Sequence, residues 1–157
     1  MVSPAEWGPS TWELLHGIAE RVGFQTIKIM EEDERVSLHY ALKHLDELIP
    51  CQMCQGHYKE WIKKRPVDTW IKKSGGLLQE AMRQWVYDLH ENVNGFKSIV
   101  SSLTIEDLPG IYQSVDLRAK ATVLKDLFQR GLAVGAFRAE YWKLTWRHLD
   151  TVVRLLT

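Results

Sequence analysis

The spacing of apolar residues constrains the fold of this 157-residue chain more than any other feature. Apolar side chains recur at three- and four-residue steps along most of the chain, as they do on the buried face of an amphipathic helix. This period predicts helices over residues 7–22, 31–48, 50–64, 77–100, 119–132 and 137–155. No segment shows the apolar and polar alternation of a strand between turn signals. The sequence therefore predicts an all-α protein.

The composition is that of an ordinary globular domain and argues against several kinds of partner. Apolar residues make up 45% of the chain and charged residues 25%, close to globular averages. The 20 basic residues equal the 20 acidic ones, without a dense basic run, so the chain lacks the positive patch that nucleic acid would need. No apolar run reaches the roughly 20 residues of a transmembrane helix, and the N-terminus lacks a signal-peptide pattern. We therefore expect a cytoplasmic protein that binds neither nucleic acid nor membrane.

Both cysteines of the chain, Cys51 and Cys54, lie three residues apart behind Pro50. Pro50 suits the first position of a helix, because its ring fixes φ and its missing N–H needs no partner there. Cys51 then lies in the first turn, where the positive end of the helix dipole favours a thiolate. Residues three apart share a helix face, so the two sulfurs can close into a disulfide. The pair predicts a redox switch; inert buried cysteines are the alternative.

Other helices carry flat or polar side chains at helical spacing. Gly8, Trp12 and His16 recur every four residues, behind Ser10 or Thr11 as a predicted N-cap. A stripe of that kind is, on its own, more typical of a core than of a ligand site. A second stripe consists of His90, Asn94 and Lys97, and the last helix carries an apolar side of Trp142, Trp146, Leu149, Val153 and Leu156. We expect that last helix to pack against another element.

Three segments together resemble the FAD-dependent sulfhydryl oxidases of the Erv/ALR family. The first is GPSTWELLH over residues 8–16, the second is PCxxCxxH over residues 50–57, and the third is WxxxLHxxVN over residues 85–94 with Lys97 nearby. They occur in the order of the family and cover roughly residues 7–100. The resemblance implies that residues 1–100 form a four-helix bundle that binds FAD, with a short fifth helix. A helical C-terminal extension of unknown role would follow over residues 101–157.

The resemblance also implies the roles of individual residues. Cys51 and Cys54 would form the catalytic disulfide, with Cys54 against the flavin and Cys51 as the outward sulfur that a client thiol attacks. By similarity, the residues that would contact FAD are Gly8, Thr11, Trp12, His16, Cys54, His57, His90, Val93, Asn94 and Lys97. No metal is implied.

The implied activity is oxidation of protein dithiols. Electrons would pass through the Cys51–Cys54 disulfide to FAD and then to oxygen, which gives hydrogen peroxide. The chain lacks the second, shuttle cysteine pair that many cellular members carry, so a thioredoxin-like or other cysteine-bearing client protein would react with it directly. The resemblance further implies a homodimer, and the minimal cysteine content is similar to that of members from large DNA viruses.

Two other functions compete with the oxidase. The first is a structural zinc module with Cys51, Cys54, His57 and His90 as ligands, which are the residue types that zinc prefers. The second is a helical interaction protein with inert cysteines, in which the C-terminal aromatic residues form the working surface. A bound flavin would favour the oxidase, and one zinc per chain would favour the zinc module.

Overall fold

The computed structural model describes residues 2–135 and 138–157. The helices of these residues are α1 (Pro4–Ala19), α2 (Lys28–Lys43), α3 (Gln52–Lys64), α4 (Gly75–Phe96), α5 (Leu108–Tyr112), α6 (Leu117–Ala133) and α7 (Ala139–Leu155). Short 3₁₀ turns cover Leu45–Glu47, Val67–Thr69 and Ile105–Asp107. The described residues contain no strand, so the prediction of an all-α fold is confirmed. No helix in this part of the chain is both long and apolar enough to cross a bilayer.

The first helix begins earlier than its apolar period indicates. Ser3 is the N-cap of α1, and its backbone N–H donates to the Glu6 carboxylate at 2.7 Å. The prediction of Ser10 or Thr11 as the cap is therefore wrong. Thr11 lies inside the helix, where its hydroxyl donates to the carbonyl of Trp7 at 2.7 Å. The capping box of Ser3 and Glu6 therefore lies about one turn before the apolar stripe of α1 begins.

The cysteine helix begins later than predicted. Cys51, with φ of −152°, is the N-cap of α3, and the helix itself starts at Gln52. The placement of Pro50 at the first helical position is therefore wrong, because the backbone at Cys51 is still extended. Cys51 nevertheless lies at the start of the helix, where its Sγ accepts the backbone N–H of Cys54 at 3.2 Å. A sulfur that caps a helix lies at the positive end of the helix dipole.

The ends of two other helices were also predicted too late. After α2 ends at Lys43, the chain continues only as a 3₁₀ turn up to Glu47. Helix α4 ends at Phe96 because Ser98 takes a left-handed φ of 55° and the Ile99 N–H donates to the Asn94 carbonyl at 2.9 Å. This six-residue closure is a Schellman motif, which terminates a helix. Phe137, the predicted start of the last helix, lies outside the described residues.

The core is continuous from the first helix to the last. Helix α1 packs against α4 and α6, and α2 packs against α7. The four residues of the apolar side of α7 that precede Leu156 are buried, which confirms that this helix packs against another element, and Leu156 is half-buried. A Cβ at Gly17 would lie 2.8 Å from the Leu117 side chain, so glycine permits the close approach of α1 and α6. The family-like segment and the C-terminal helices thus share one core.

Polar contacts join the same helices. Glu20 of α1 is 8% exposed and accepts two hydrogen bonds from the Arg83 guanidinium of α4, at 2.7 and 2.8 Å. Among the hydrogen bonds that reach α7, Thr145 Oγ1 donates to Glu47 at 2.7 Å, and Gln25 Nε2 donates to the Leu155 carbonyl at 2.8 Å. A bidentate arginine–carboxylate pair fixes orientation as well as distance. The Glu20–Arg83 pair therefore fixes the position of α1 relative to α4.

Candidate redox site

A cavity of about 210 Å³ opens between α1, α3 and α4. Its wall is mostly apolar, with five large aromatic side chains and a few polar groups. The lining residues are Pro4, Trp7, Gly8, Thr11, Trp12, Leu15, Leu45, Ile49, Met53, Cys54, His57, Tyr58, Trp61, Leu89, Asn92, Val93, Phe96 and Lys97. We call this space the redox cavity.

The disulfide between Cys51 and Cys54 lies at one wall of the redox cavity. The two Cα atoms are 5.2 Å apart, and both residues are half-buried. Cys54 lines the cavity, whereas Cys51 does not. The bridge therefore joins one cysteine of the cavity lining to one outside it.

The first turn of α3 stabilises negative charge on Cys51. The Cys54 N–H donates to Cys51 Sγ, and this turn contains no acidic side chain. Helix N-termini lower thiol pKa values by this mechanism. When the bridge opens, Cys51 is thus suited to leave as a thiolate.

Four rings stack behind the cavity wall, and we call them the ring stack: Tyr112, His16, His90 and Trp12. The Tyr112 and His16 rings lie 4.4 Å apart at 14°, and the His90 and Trp12 rings lie 4.0 Å apart at 8°. Between these pairs, His16 Nε2 and His90 Nδ1 are 3.0 Å apart, within hydrogen-bond distance.

Burial, followed by the charge of the neighbouring His90, lowers the pKa of His16 to about 3. Burial, followed by Lys97, lowers the pKa of His90 to about 4. Both imidazoles are therefore neutral near pH 7, and one donates to the other.

A second pair of rings joins α3 to α4 at the cavity. His57 and Phe96 stack with centroids 4.0 Å apart and planes at 8°. Phe96 remains 57% exposed although it lines the cavity. An exposed aromatic ring at the end of a helix marks this edge of the cavity as its mouth.

The sequence model of the Erv1 / Alr family matches residues 9–98, more than half of the chain. The chain belongs to the Erv1 / Alr family. A curated protein of Oryza sativa subsp. japonica, named FAD-linked sulfhydryl oxidase ERV1, is 32% identical over 89 residues. That segment is 57% of this chain but 40% of the rice protein. No solved structure matches the chain.

The Erv1 / Alr segment brings most of the expected cofactor residues to one place. Those that line the redox cavity are Gly8, Thr11, Trp12, Cys54, His57, Val93 and Lys97. His16 and His90 lie in the ring stack behind Trp12 instead of at the cavity surface. Asn94 is also absent from the lining, and its carbonyl closes the end of α4.

Several lining residues were not singled out from the sequence. Tyr58 and Trp61 follow Cys54 by four and seven residues, so helical spacing already placed them on the face of that cysteine. Trp7 and Phe96 lie at or beyond the ends of the predicted apolar stripes. Tyr112 lies outside residues 9–98, so no family motif could indicate its contact with His16.

The four residues of the zinc hypothesis do not form a ligand set. Cys51 and Cys54 are bonded to each other, His57 stacks on Phe96, and His90 Nδ1 faces His16. Within residues 2–135 and 138–157, no three His, Cys, Asp or Glu side chains are grouped closely enough to hold a metal ion. The arrangement of these side chains does not support a structural zinc site.

The wall of the redox cavity fits a flat cofactor such as FAD. Trp12, His57 and Trp61 contribute aromatic rings to the lining, and Lys97 contributes a cation. Gly8 is buried, yet a Cβ built on it would meet no atom within 4 Å, so a side chain there would occupy cavity space. A largely apolar site with a few polar groups is what a ring system with a charged tail requires.

Proposed function

We propose that this chain is an FAD-dependent thiol oxidase that forms disulfide bonds in dithiols of client proteins. The observation that supports the proposal is a disulfide with one sulfur on the wall of an aromatic cavity, in a member of the Erv1 / Alr family. The rice relative is named an FAD-linked sulfhydryl oxidase, and this chain spans 40% of its length.

The first chemical step is thiol–disulfide exchange at Cys51. A client thiolate attacks Cys51 Sγ, the client–Cys51 bond forms, and the Cys51–Cys54 bond breaks. Cys54 then carries the displaced negative charge at the cavity wall. Attack at Cys51 is favoured because its sulfur is the one that does not face the cavity.

The second step releases the oxidised client. The other client thiolate attacks the client sulfur of the mixed disulfide, and Cys51 leaves as a thiolate. The leaving group is stabilised by the Cys54 N–H and by the dipole of α3. The client has then lost two electrons and gained a disulfide, and Cys51 and Cys54 hold the electron pair.

The residues of the cavity would hold the cofactor beside Cys54. FAD bound there would supply the acceptor for the electron pair, with oxygen as the final acceptor and hydrogen peroxide as the product. Trp12, His57 and Trp61 would contact flat parts of FAD, and Lys97 would pair with its phosphates.

The experiment uses the full chain loaded with FAD and dithiothreitol as substrate. Oxygen uptake and peroxide formation are measured for the wild type and for Cys54→Ser, with Gln52→Ala as a control, since Gln52 is exposed and outside the cavity lining. We expect Cys54→Ser to retain FAD and lose turnover, and Gln52→Ala to behave as the wild type. Thiol oxidation by Cys54→Ser at the wild-type rate would contradict the proposal.

Three further expectations belong to the same proposal. The homodimer and the viral origin stay predictions from the resemblance, and the cytoplasmic location stays a prediction from the sequence pattern. Light scattering on the purified, FAD-loaded chain tests the first of these, with a mass twice the 18.2 kDa of the chain as the expected result. A mass equal to one chain at all concentrations would contradict it.

A further inference from the structure

A second cleft lies on the other side of α3, between the 3₁₀ turn Leu45–Glu47 and the beginning of α7. It has a volume of about 450 Å³, and we call it the polar cleft. Its lining includes Asp46, Glu47, Gln55, Lys59, Arg138 and Tyr141. Arg138 and Tyr141 lie beyond residues 9–98, so the C-terminal helices build part of this cleft.

Helix α3 turns one row of side chains toward each space. Tyr58 and Trp61 follow Cys54 on the row that lines the redox cavity. Gln55 and Lys59 follow Cys51 at four-residue steps on the row that lines the polar cleft. The Gln55 N–H donates to the Cys51 carbonyl at 2.9 Å, and its side chain donates to the Ile49 carbonyl at 2.6 Å. The disulfide therefore joins the two rows, with Cys51 on the row of the polar cleft.

The charges of the cleft differ in their exposure. The Asp46 and Glu47 side chains are 13% and 23% exposed, and Glu47 accepts a hydrogen bond from Thr145. The Lys59 and Arg138 side chains are 62% and 69% exposed. Lys59 Nζ lies 3.8 Å from Asp46, a loose ion pair, and burial raises the pKa of the Asp46 carboxyl. Within the cleft lining, the more exposed charges are therefore the two positive ones.

This positive charge is local, because the chain as a whole has a formal net charge of zero. Arg138 also pairs with Glu140 at 2.9 Å and lies over the Tyr141 ring at 4.6 Å, which holds its guanidinium near the mouth of the cleft. Glu140 is itself exposed and outside the cleft lining. Charges at the rim of a binding surface act mainly on the rate and selectivity of association.

We propose that the polar cleft binds an acidic segment of a client protein. This segment lies next to the client cysteine that attacks Cys51. Lys59 and Arg138 attract the carboxylates of the client segment. The client cysteine then lies along the Gln55 and Lys59 row of α3, near the Cys51 sulfur. This docking role rests on the proposed thiol oxidase function. It gives the C-terminal helices a part in the choice of client.

The test uses a reaction of Cys51 that needs no flavin. In the Cys54→Ser protein, the free Cys51 thiolate attacks short peptides whose single cysteine is joined to thionitrobenzoate. The Cys51–peptide disulfide forms, the bond to thionitrobenzoate breaks, and the released coloured thiolate is measured. One peptide has glutamates around its cysteine, and the other has lysines at the same positions. We expect the glutamate peptide to react about fivefold faster, and Lys59→Glu with Arg138→Glu to reverse the order.

Matched controls separate docking from general charge. Lys72→Glu with Arg130→Glu makes the same change at exposed positions outside the cleft and away from α3, and it is expected to keep the order of the peptides. Dipyridyl disulfide, small and neutral, corrects each variant for changes in the Cys51 thiolate itself. In the protein with Lys59 and Arg138 intact, about 0.5 M salt is expected to remove the preference, because exposed charges are screened at that ionic strength.

Three outcomes distinguish failure of the docking proposal from failure of the proposed function. Equal rates for both peptides in the protein with Lys59 and Arg138 intact would overturn the docking proposal, whatever the oxygen-uptake result. A preference that the cleft variants do not change would also overturn it. Loss of dithiothreitol oxidation in the FAD-loaded wild type would overturn the oxidase instead.

Discussion

Phe128 of α6 provides a test of whether the C-terminal helices are part of the redox fold. Its side chain is 2% exposed and packs edge-on against Trp7 and Trp146, each at 6.2 Å between ring centroids. Trp7 in turn lines the redox cavity. Phe128→Ala removes nearly a whole buried ring and two aromatic contacts, so we expect a loss of about 4 kcal/mol in the free energy of unfolding.

That loss is large compared with the stability of a typical domain, about 5–15 kcal/mol. For a chain of this size it corresponds to a fall of roughly 8–16 °C in Tm. The assay is urea unfolding followed by far-UV circular dichroism and by tryptophan fluorescence. We expect both signals to shift together to lower urea, because α6 and the cavity helices share one core.

Val123→Ala is the matched control on the same helix. Val123 is 47% exposed, so its truncation is expected to change the free energy of unfolding by less than about 0.5 kcal/mol. The reasoning would be refuted if Phe128→Ala produced two transitions, with the larger one unmoved. In that case residues 101–157 would unfold separately from residues 1–100.

Two further predictions concern the ring stack. Burial holds the pKa of His16 at about 3, below the 6.5 of an unfolded histidine, so the unfolded state binds more protons below about pH 6.5 and stability falls as the pH drops. Between pH 7 and pH 5, we expect His16 to lower the free energy of unfolding by about 2 kcal/mol, as measured by urea unfolding. The stability of His16→Gln is expected to depend less on pH. An equal pH dependence in both proteins would contradict this. Tyr112→Ala is expected to weaken FAD binding about tenfold by loosening His16, and Tyr112→Phe to preserve it, as followed by flavin fluorescence. Equal affinities for the two Tyr112 variants would show that the stack does not support the cavity.

The helical period was sufficient to predict the fold class and the approximate places of the long helices. It could not give their ends, which are fixed by local backbone geometry. Ser3 caps α1 ahead of its apolar stripe, Cys51 caps α3 in an extended conformation, and Ser98 ends α4 in a left-handed one. A single residue decides each of these ends, whereas the apolar period averages over a whole helix.

The wall of the redox cavity was predictable where a motif and a helical face coincide. Trp12, Cys54 and His57 line the cavity on that basis. The apolar side of α7 likewise indicated that it packs against something, but not that its partner is α2. Amphipathic spacing identifies a buried face without naming what covers it, so the contact of Tyr112 with His16 and the polar cleft required the tertiary structure.

The most direct test of FAD binding beside Cys54 is a titration of the purified chain with FAD, followed by flavin fluorescence. Val93 lines the redox cavity and is half-buried, so Val93→Trp fills part of the space that the flavin would occupy, and circular dichroism verifies that this variant is folded. We expect the wild type and Cys54→Ser to bind one FAD per chain with quenched fluorescence, and folded Val93→Trp to bind at least tenfold more weakly. A wild-type chain that binds no FAD, or a folded Val93→Trp that binds it equally well, would contradict the assignment of this cavity.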